Sequence, residues 1–418
     1  MSWQHLKSLQ FSDLPLDEAD RKVLDDLADR LQDNYPYDQQ HYAGQMIKPP
    51  HTLAQAAYWM STFVNPNNHA LDGGKATSAL ELEVVADLGK MIGYEQSLGH
   101  LTSGGTMANL EALWVARKNQ SDATVLASSA SHYTHSRMSE VLGMPFKSIA
   151  TNANGTMDLE DLERAVSSVK YAVVVVTMGT TGLGKVDPLA EILELQKTHN
   201  FRIHIDAAYG GYFKIANLEK DTQRHFELMH MADSVVIDPH KHGLQPYGCG
   251  AILLKNPKEG RFYKHDSPYT YFTSGDLHLG EITLECSRPG AASAALWATM
   301  QKFPLEQGGA FSQRLNESLL AARGLHKCAA SMGYWSIAPE LDICIFSNKG
   351  KLTSEMSQEN RVFFERKSKE GIHLALLKIK EENCPWPVEW DTEELVVVRS
   401  VLMKPEHNDP EFWNRLLN

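Results

Sequence analysis

The feature that most constrains the fold of this chain is a series of short β-rich segments in its middle part. The predicted strands are TVLAS (124–128), FKSIA (146–150), YAVVVV (171–176), FRIHI (201–205), DSVVI (233–237) and GAILL (250–254). Helix-length segments separate most of them, and YAVVVV lacks the polar alternation of a strand with one solvent-facing side. This pattern predicts an α/β fold in which βαβ units build a mainly parallel sheet with helices on both faces.

The sequence on either side of this alternation predicts two further units. The polar stretch LDEADRKVLDDLADRLQD has helical spacing and is followed by Pro49 and Pro50, which favours an N-terminal helical arm. Near the other end, DICIF, IHLALL and ELVVVRSVLM alternate with helix-like stretches, as in a small α+β domain. We therefore predict an arm at 1–50, a large domain at 51–305 and a small C-terminal domain at 306–418.

Composition excludes several classes of function. With 43% hydrophobic and 22% charged residues among 418, the chain is typical of a globular protein. Its 40 basic and 52 acidic residues give a net charge of −12 without a basic cluster, so we expect no nucleic-acid or anionic-membrane partner. The longest apolar run is too short to cross a bilayer, and MSWQHLKSLQ has no secretory apolar region. Five widely spaced cysteines without a CxxC pair favour reduced thiols, a cytoplasmic location and no metal site.

A glycine pair opens a predicted helix in the segment LTSGGTMANLEALW (101–114). A helix that starts around Gly105 and Thr106 leaves free backbone N–H groups at the positive end of its dipole, which suits a phosphate. The alternative is a glycine turn with Thr106 as the N-cap, which needs no ligand. The segment is therefore a candidate phosphate site whose interpretation depends on the other motifs.

Two predicted strands end beside reactive residues. FRIHI is followed by Asp206 and two small alanines, at the sheet edge where open α/β sheets bind ligands. DSVVI is followed by DPHKHG, in which Lys241 lies between His240 and His242. A lysine that loses its proton through desolvation is an imine-forming amine. The alternatives are an aspartate that caps a turn, a surface lysine, and histidines that fill polar positions, since no third metal ligand follows at a suitable spacing.

A fourth segment, SSASHYTHSRM (128–138), places His132 and His135 after the strand TVLAS. Either ring could stack on a planar ligand or fill a core or loop position. Together the four segments supply a phosphate anchor, a ring-stacking residue, an acid for a ring nitrogen and an imine-forming lysine. These are the groups that pyridoxal phosphate requires.

With these motifs the chain resembles the group II pyridoxal-phosphate-dependent amino-acid decarboxylases. That family includes glutamate, aromatic amino acid and archaeal tyrosine/aspartate decarboxylases, and the sphingosine-phosphate lyases are its relatives. HIDAAYGG and DPHKHG are the specific motifs, SGGT and SRPG support them, and the resemblance extends from about residue 50 to 300 and more loosely to the end. It implies the fold type I architecture of the PLP-dependent transferases, with a seven-stranded type of sheet in the large domain.

The resemblance also implies roles for single residues around the cofactor ring. Lys241 would hold pyridoxal 5'-phosphate as the internal aldimine, and Asp206 would face the pyridine nitrogen. His132 matches the residue that stacks on the ring, with Ala208 on the opposite face. The implied reaction is the decarboxylation of an L-amino acid to the amine and CO2 through a quinonoid intermediate.

Further matches concern the phosphate and the ring hydroxyl. By the same resemblance, Gly105 and Thr106 belong to the phosphate loop, and His240 lies near the phosphate. Thr181, in MGTTGLGKVDP, matches a threonine near the ring hydroxyl. Met107 departs from the family, in which glutamate is common at this position.

Two matches imply that a second subunit contributes to the site. Ser287, in ECSRPG, matches a serine that reaches the phosphate of the neighbouring subunit, so the resemblance implies a homodimer with active sites at the interface. Tyr271, in KHDSPYTYFTSGDLHLGE (264–281), is the candidate proton donor, and loop packing is the alternative role for this aromatic residue.

The sequence leaves the substrate and part of the chemistry open. The segment HALDGGKATSALELE (69–83), which corresponds to the entrance in relatives, mixes amide, imidazole and acid groups and selects no class of amino-acid side chain. The alternative activities are a retro-aldol carbon–carbon lyase of the sphingosine-phosphate type and an aminotransferase. The alternative that is not an enzyme is a protein that binds the cofactor without catalysing a reaction.

Overall fold

The computed structural model describes residues 14–71, 73–264 and 282–418. Within these ranges the chain forms twelve α-helices and eleven β-strands. The helices are α1 (Glu18–Leu31), α2 (Thr52–Thr62), α3 (Lys75–Ile92), α4 (Gly105–Asn119), α5 (Thr134–Leu142), α6 (Leu159–Ser168), α7 (Leu189–Thr198), α8 (Lys220–Glu227), α9 (Gly290–Lys302), α10 (Ala310–Ser331), α11 (Thr353–Lys369) and α12 (Pro410–Leu417). The strands are β1 (Leu98–Thr102), β2 (Thr124–Ser128), β3 (Phe146–Ile149), β4 (Ala172–Thr177), β5 (Phe201–Asp206), β6 (Ser234–Ile237), β7 (Gly250–Leu254), β8 (Trp335–Ile337), β9 (Ile343–Ser347), β10 (Ala375–Ile379) and β11 (Leu395–Val401).

The larger sheet has seven strands in the described part of the chain, in the order β1-β7-β6-β5-β4-β2-β3. The pairs from β3 through β6 are parallel, whereas β7 runs antiparallel to both β6 and β1. Every residue of β4 and β5 is buried, as the apolar run in β4 predicts for a strand covered on both faces. The α/β fold with a mainly parallel sheet is confirmed.

Strand β1 is the one member of this sheet that the sequence analysis does not predict. Its sequence, LGHLT, is short and contains a glycine and a histidine, so it lacks the apolar run of the other strands. Gly99 is needed here because a β-carbon would lie 2.5 Å from the carbonyl oxygen of Ile252 on β7. The close approach of two backbones explains why a poor strand-forming sequence becomes an edge strand.

The smaller sheet is antiparallel, in the order β10-β11-β9-β8. Helices α10 and α11 pack against it. This arrangement has the α+β character that the C-terminal sequence predicts, while the division of the chain at 305 stays a prediction. None of the helices in the described ranges combines the length and the apolar character needed to cross a membrane.

Candidate active site

A cavity of about 350 Å³ lies at one edge of the larger sheet. Strand β1 runs in the same direction as β6 because both are antiparallel to β7, so the carboxyl ends of β1, β2, β4, β5 and β6 share this edge. The cavity is lined by the last residues of β4 and β5 and by the segments that follow these five strands, namely Ser103, Gly104, Gly105, Thr106, Met107, Asn109, His132, Tyr133, Thr134, Thr177, Gly179, Thr181, Asp206, Ala208, Tyr209, Asp238, His240 and Lys241. This is the position at which open α/β sheets bind ligands.

The start of helix α4 forms one wall of the cavity. The helix begins without a side-chain cap, so N–H groups of its first turn are left for a ligand, and the helix dipole favours an anion there. A β-carbon added to Gly105 would lie 2.8 Å from Asp238 Oδ2 and 3.2 Å from the Ala208 β-carbon. Only glycine leaves this wall open to the cavity.

Asp206 ends β5 and is held by three donors. His135 Nε2 lies 2.8 Å from Oδ2, Asn109 Nδ2 donates to the same oxygen at 3.2 Å, and the Ala208 N–H donates to Oδ1 at 3.1 Å. Burial opposes ionisation of this carboxyl, but the hydrogen bond and charge of His135, followed by the charge of Lys241, outweigh it and hold the pKa of Asp206 well below its usual range. Asp206 is therefore a buried anion at neutral pH, with a fixed orientation.

A second layer of hydrogen bonds fixes Asn109. His204 Nε2 lies 2.7 Å from Asn109 Oδ1, and His204 Nδ1 lies 2.9 Å from Ser234 Oγ. Burial lowers the pKa of His204 to about 3, so its ring is neutral, donates from Nε2 to the amide oxygen and accepts from Ser234. The amide nitrogen of Asn109 is thereby directed at Asp206.

Lys241 lies in a tight turn that follows β6. Its backbone N–H donates to the Asp238 carbonyl at 2.9 Å, and its Nζ forms an ion pair with Asp238 Oδ2 at 3.0 Å. His240 Nε2 lies 3.5 Å from the same carboxylate oxygen, and the His240 ring stacks on that of Tyr247 with centroids 4.5 Å apart. Burial lowers the pKa of His240. The turn therefore presents a lysine amine, a neutral imidazole and a carboxylate to the cavity.

The structure brings most of the predicted site residues together. Those that line the one cavity are Gly105, Thr106, His132, Thr181, Asp206, Ala208, His240 and Lys241. The half-buried His132 packs against Tyr133 with ring centroids 4.3 Å apart, and burial lowers its pKa. The roles that the resemblance implies for these residues stay predictions.

Two predicted residues stand apart from this group. Ser287 is exposed, accepts a hydrogen bond from Asn67 Nδ2 at 3.2 Å and does not line the cavity of its own chain. Tyr271 lies outside the described residues. Neither position tests the role predicted for it.

Several residues of the cavity wall were missed by the sequence analysis, among them Asn109, Asp238 and Thr177. Asn109 is a buried polar residue on a face of α4 that otherwise includes alanine and leucine, and this break in the apolar pattern is a usable signal. Asp238 lies three residues before Lys241, a spacing that lets the two side chains meet in a turn. Thr177, at the end of β4, gives no signal in sequence. His135, for which the sequence left ring stacking or a core or loop position open, is fully buried and contacts Asp206.

The cavity fits pyridoxal phosphate by its unsatisfied polar atoms. Buried side-chain atoms without a protein hydrogen-bond partner in the described chain include Thr134 Oγ1, Thr177 Oγ1, Asp238 Oδ1 and His240 Nδ1, all from residues that line it. Buried polar groups normally have partners, so these atoms indicate a polar ligand. The volume lies within the usual range for a cofactor site, and the uncapped start of α4 suits a phosphate group.

Comparisons with known proteins agree with this assignment. A family model described as "Pyridoxal-dependent decarboxylase conserved domain" matches residues 5–343. L-tyrosine decarboxylase of Enterococcus faecium is 27% identical over 405 residues, and the match covers 72% of this chain and 66% of that protein, just under two thirds of its length. A probable L-aspartate decarboxylase of Pyrococcus furiosus is 28% identical over 324 residues, covering 76% of this chain and 85% of that protein.

Solved structures support the fold. The crystal structure of mouse CSAD aligns with a TM-score of 0.82 at 20% identity, over 99% of this chain and 91% of that chain. That of Oryza sativa TDC with PLP and tryptamine also aligns with a TM-score of 0.82, at 14% identity, over 100% of this chain and 95% of that chain. Both chains share the architecture described above along nearly their whole length.

Proposed function

The chain belongs to the pyridoxal-dependent decarboxylase family, and we propose that it is a carboxy-lyase that converts an L-amino acid to the amine and CO2. One observation supports this most strongly: Lys241, Asp206 and His132, which are far apart in sequence, line one cavity beside an uncapped helix start. A chain that had kept only the fold would have no reason to keep this set of side chains together.

Pyridoxal phosphate, when bound, supplies an electron sink for the electron pair that stays on the α-carbon when CO2 departs. Lys241 would hold the cofactor through its amino group, and Asp206 would keep a proton on the ring nitrogen because a buried carboxylate favours a positive charge beside it. The start of α4 at Gly105 and Thr106 would bind the phosphate. His132 would pack on one face of the cofactor ring and Ala208 on the other, and together they would exclude water from both faces.

We also propose that the active protein is a homodimer. Helix α2 and the residues after it expose large apolar side chains, with Trp59 at 45%, Met60 at 69%, Phe63 at 56% and Val64 at 79% of their full accessibility. A cluster of this kind on a protein surface marks an interaction site. Ser287, exposed and outside its own cavity, would then serve the neighbouring subunit, and Tyr271 would be the proton donor to the α-carbon.

The subunit proposal is tested by the mass of the protein in solution. Light scattering after size exclusion is expected to give twice the chain mass for the wild type and a larger monomer fraction for Phe63→Glu. A wild-type monomer that is fully active contradicts the proposal. Val362→Glu, at an exposed apolar position on α11, serves as the surface control.

The catalytic proposal is tested by identifying products. Cofactor-loaded protein is incubated with each of the twenty amino acids, and CO2 and amine are measured together. The panel begins with tyrosine, aspartate and glutamate, which the names of curated relatives specify. Equal amounts of CO2 and amine support the proposal. A keto acid, with the amino group left on the cofactor, would indicate an aminotransferase. In a separate incubation with a phosphorylated amino alcohol, an aldehyde released without CO2 would indicate a retro-aldol lyase.

A further inference from the structure

A short segment at the start of β9, Leu341 to Ile343, packs against two loops that line the cavity, one after β4 and one after β5. The loop after β4 turns at Gly179 and Gly184, with φ of +100° and +66°, and a β-carbon at these positions would lie 2.9 Å from Leu341 Cδ1 and 3.1 Å from Ile343 Cβ. The glycines therefore allow the antiparallel-sheet region to approach the site closely. The residue in the middle of this segment, Asp342, is fully buried.

Asp342 lies between two residues that adjoin the catalytic groups. Tyr209 lines the cavity three positions after Asp206, and its Oη donates to Asp342 Oδ1 at 2.5 Å. His242 directly follows Lys241, and its Nε2 lies 3.3 Å from Asp342 Oδ2, a close electrostatic contact that is not aligned as a hydrogen bond. The Asp342 carboxylate thus contacts one side chain near Asp206 and one next to Lys241, the two residues that would act on the cofactor.

This carboxylate is an anion held in place. Burial opposes its ionisation, but the nearby His242, the hydroxyl of Tyr209 and the charge of Lys48 hold the pKa of Asp342 below its usual value. Burial lowers the pKa of His242 itself, so this imidazole acts on Asp342 as a neutral polar neighbour near pH 7. The ring of His242 is fully buried and packs edge-on against those of Tyr209 and Phe213, each with centroids 4.8 Å apart. A buried charge keeps its few partners in place, because losing one leaves it unsatisfied.

We propose that Asp342 is a positioning residue for Lys241, acting through His242, with Tyr209 as its second anchor. The inference rests on the proposed role of Lys241 in holding the cofactor. Asp342 is the carboxylate that faces His242, whose other charged neighbours are Lys48 and Lys241. His242 adjoins Lys241 through a single peptide bond, so a displaced imidazole changes the direction of the lysine side chain. A misdirected amine reacts slowly because covalent bond formation demands close alignment of the reacting atoms.

The competing explanation is that Asp342 merely fastens the two sheets together. The chain offers a matched control in Glu340, whose Oε1 lies 3.1 Å from Lys185 Nζ and whose Oε2 accepts from the Val186 N–H at 2.9 Å. Glu340 is a second acidic link between the same two parts of the molecule, and it does not contact the segment around Lys241.

The test compares Asp342→Asn with Glu340→Gln in the full-length protein. After removal of any bound cofactor, pyridoxal phosphate is added, and the formation of its covalent bond to the protein is followed by absorbance. Lys241→Ala identifies the signal of the lysine-bound cofactor, because this variant is expected to lack it. We expect capture by Asp342→Asn to be at least about tenfold slower, with a shifted absorbance maximum, and capture by Glu340→Gln to stay within about twofold of the wild type. Thermal unfolding measured on both variants shows whether they lose similar stability.

His242→Gln tests the same link from its other end, so the proposal stays testable if Asp342→Asn does not fold. A capture rate within about twofold of the wild type for either folded variant overturns the proposal, and so does an equal slowing in Glu340→Gln. If wild-type protein captures no pyridoxal phosphate at all, the proposed function fails instead. The two failures are therefore distinguishable.

Discussion

Replacing Asp206 by asparagine removes the buried negative charge that would face the cofactor ring while keeping the size of the side chain. The carboxylate accepts from His135, Asn109 and the Ala208 N–H at 2.8–3.2 Å. A hydrogen bond to a charged group contributes about 1.5–3 kcal/mol, against about 0.5–1.5 kcal/mol for a neutral one. Three hydrogen bonds that each weaken by about 1 kcal/mol cost about 3 kcal/mol in total. Burying an amide costs less desolvation energy than burying a carboxylate, which offsets part of this loss. We therefore expect Asp206→Asn to lose about 1–3 kcal/mol of unfolding free energy at pH 7.

The same change is also expected to slow turnover. Losing one charge-assisted bond to a protonated ring nitrogen raises the barrier by about 1.5–3 kcal/mol, which corresponds to roughly a 10- to 150-fold lower kcat. Steady-state CO2 release at saturating cofactor measures it. Glu111→Gln is the control, since Glu111 is a buried carboxylate that lies 2.8 Å from His100 Nε2 and accepts from Tyr263 Oη at 3.2 Å, and none of these three residues lines the cavity. Its turnover should stay within about threefold of wild type.

The pH dependence of stability gives a second test of the same reasoning. Because the pKa of Asp206 is lower in the folded protein than its value of about 3.9 in the unfolded chain, its contribution is complete above about pH 5 and is lost as the pH falls through the folded pKa. Urea unfolding of wild type and Asp206→Asn should therefore differ most near neutrality and converge at acid pH. A folded, cofactor-loaded Asp206→Asn variant with unchanged kcat refutes the account of this residue.

Three other substitutions test separate parts of the structure. Lys241→Ala should abolish turnover and the absorbance of the lysine-bound cofactor without changing the circular dichroism spectrum; measurable turnover would exclude Lys241 as the covalent anchor. Gly105→Ala should weaken cofactor binding at least about tenfold in an absorbance titration, because its β-carbon would lie 2.8 Å from Asp238 Oδ2; unchanged affinity would place the phosphate elsewhere. Glu259→Gln should lower the unfolding free energy, measured by urea denaturation, by about 3–5 kcal/mol. The change breaks a buried ion pair in which Arg202 Nη1 and Nη2 donate to Glu259 at 2.7 and 2.9 Å. The kcat of this variant should not change.

The sequence predicts the sheet well because its strands are encoded locally. The apolar run at 171–176 needs no knowledge of its neighbours to be identified as a doubly covered strand, and the structure places β4 there with every residue buried. Strand β1 is different. Its pairing with β7 depends on a close backbone approach at Gly99, which is a tertiary fact that no local pattern contains.

The site follows the same division between local and tertiary information. Residues directly after strands, such as Asp206 and Lys241, can be predicted because parallel strands bring their carboxyl ends to one edge. The partners that control them cannot, because His135 and Asn109 reach Asp206 across 71 and 97 residues of sequence. Asp342 is more distant still, 133 residues from its partner Tyr209. Such contacts are set by packing, which the sequence does not display.

The proposed function depends above all on Lys241, which would hold pyridoxal phosphate in the cavity at the sheet edge. The most direct measurement is to load the wild-type protein with the cofactor, reduce the complex with borohydride, digest it and locate the added mass by mass spectrometry. We expect the added mass on the peptide that contains Lys241, and no stable addition in Lys241→Ala. An added mass on another lysine, or none on a folded protein, would contradict it.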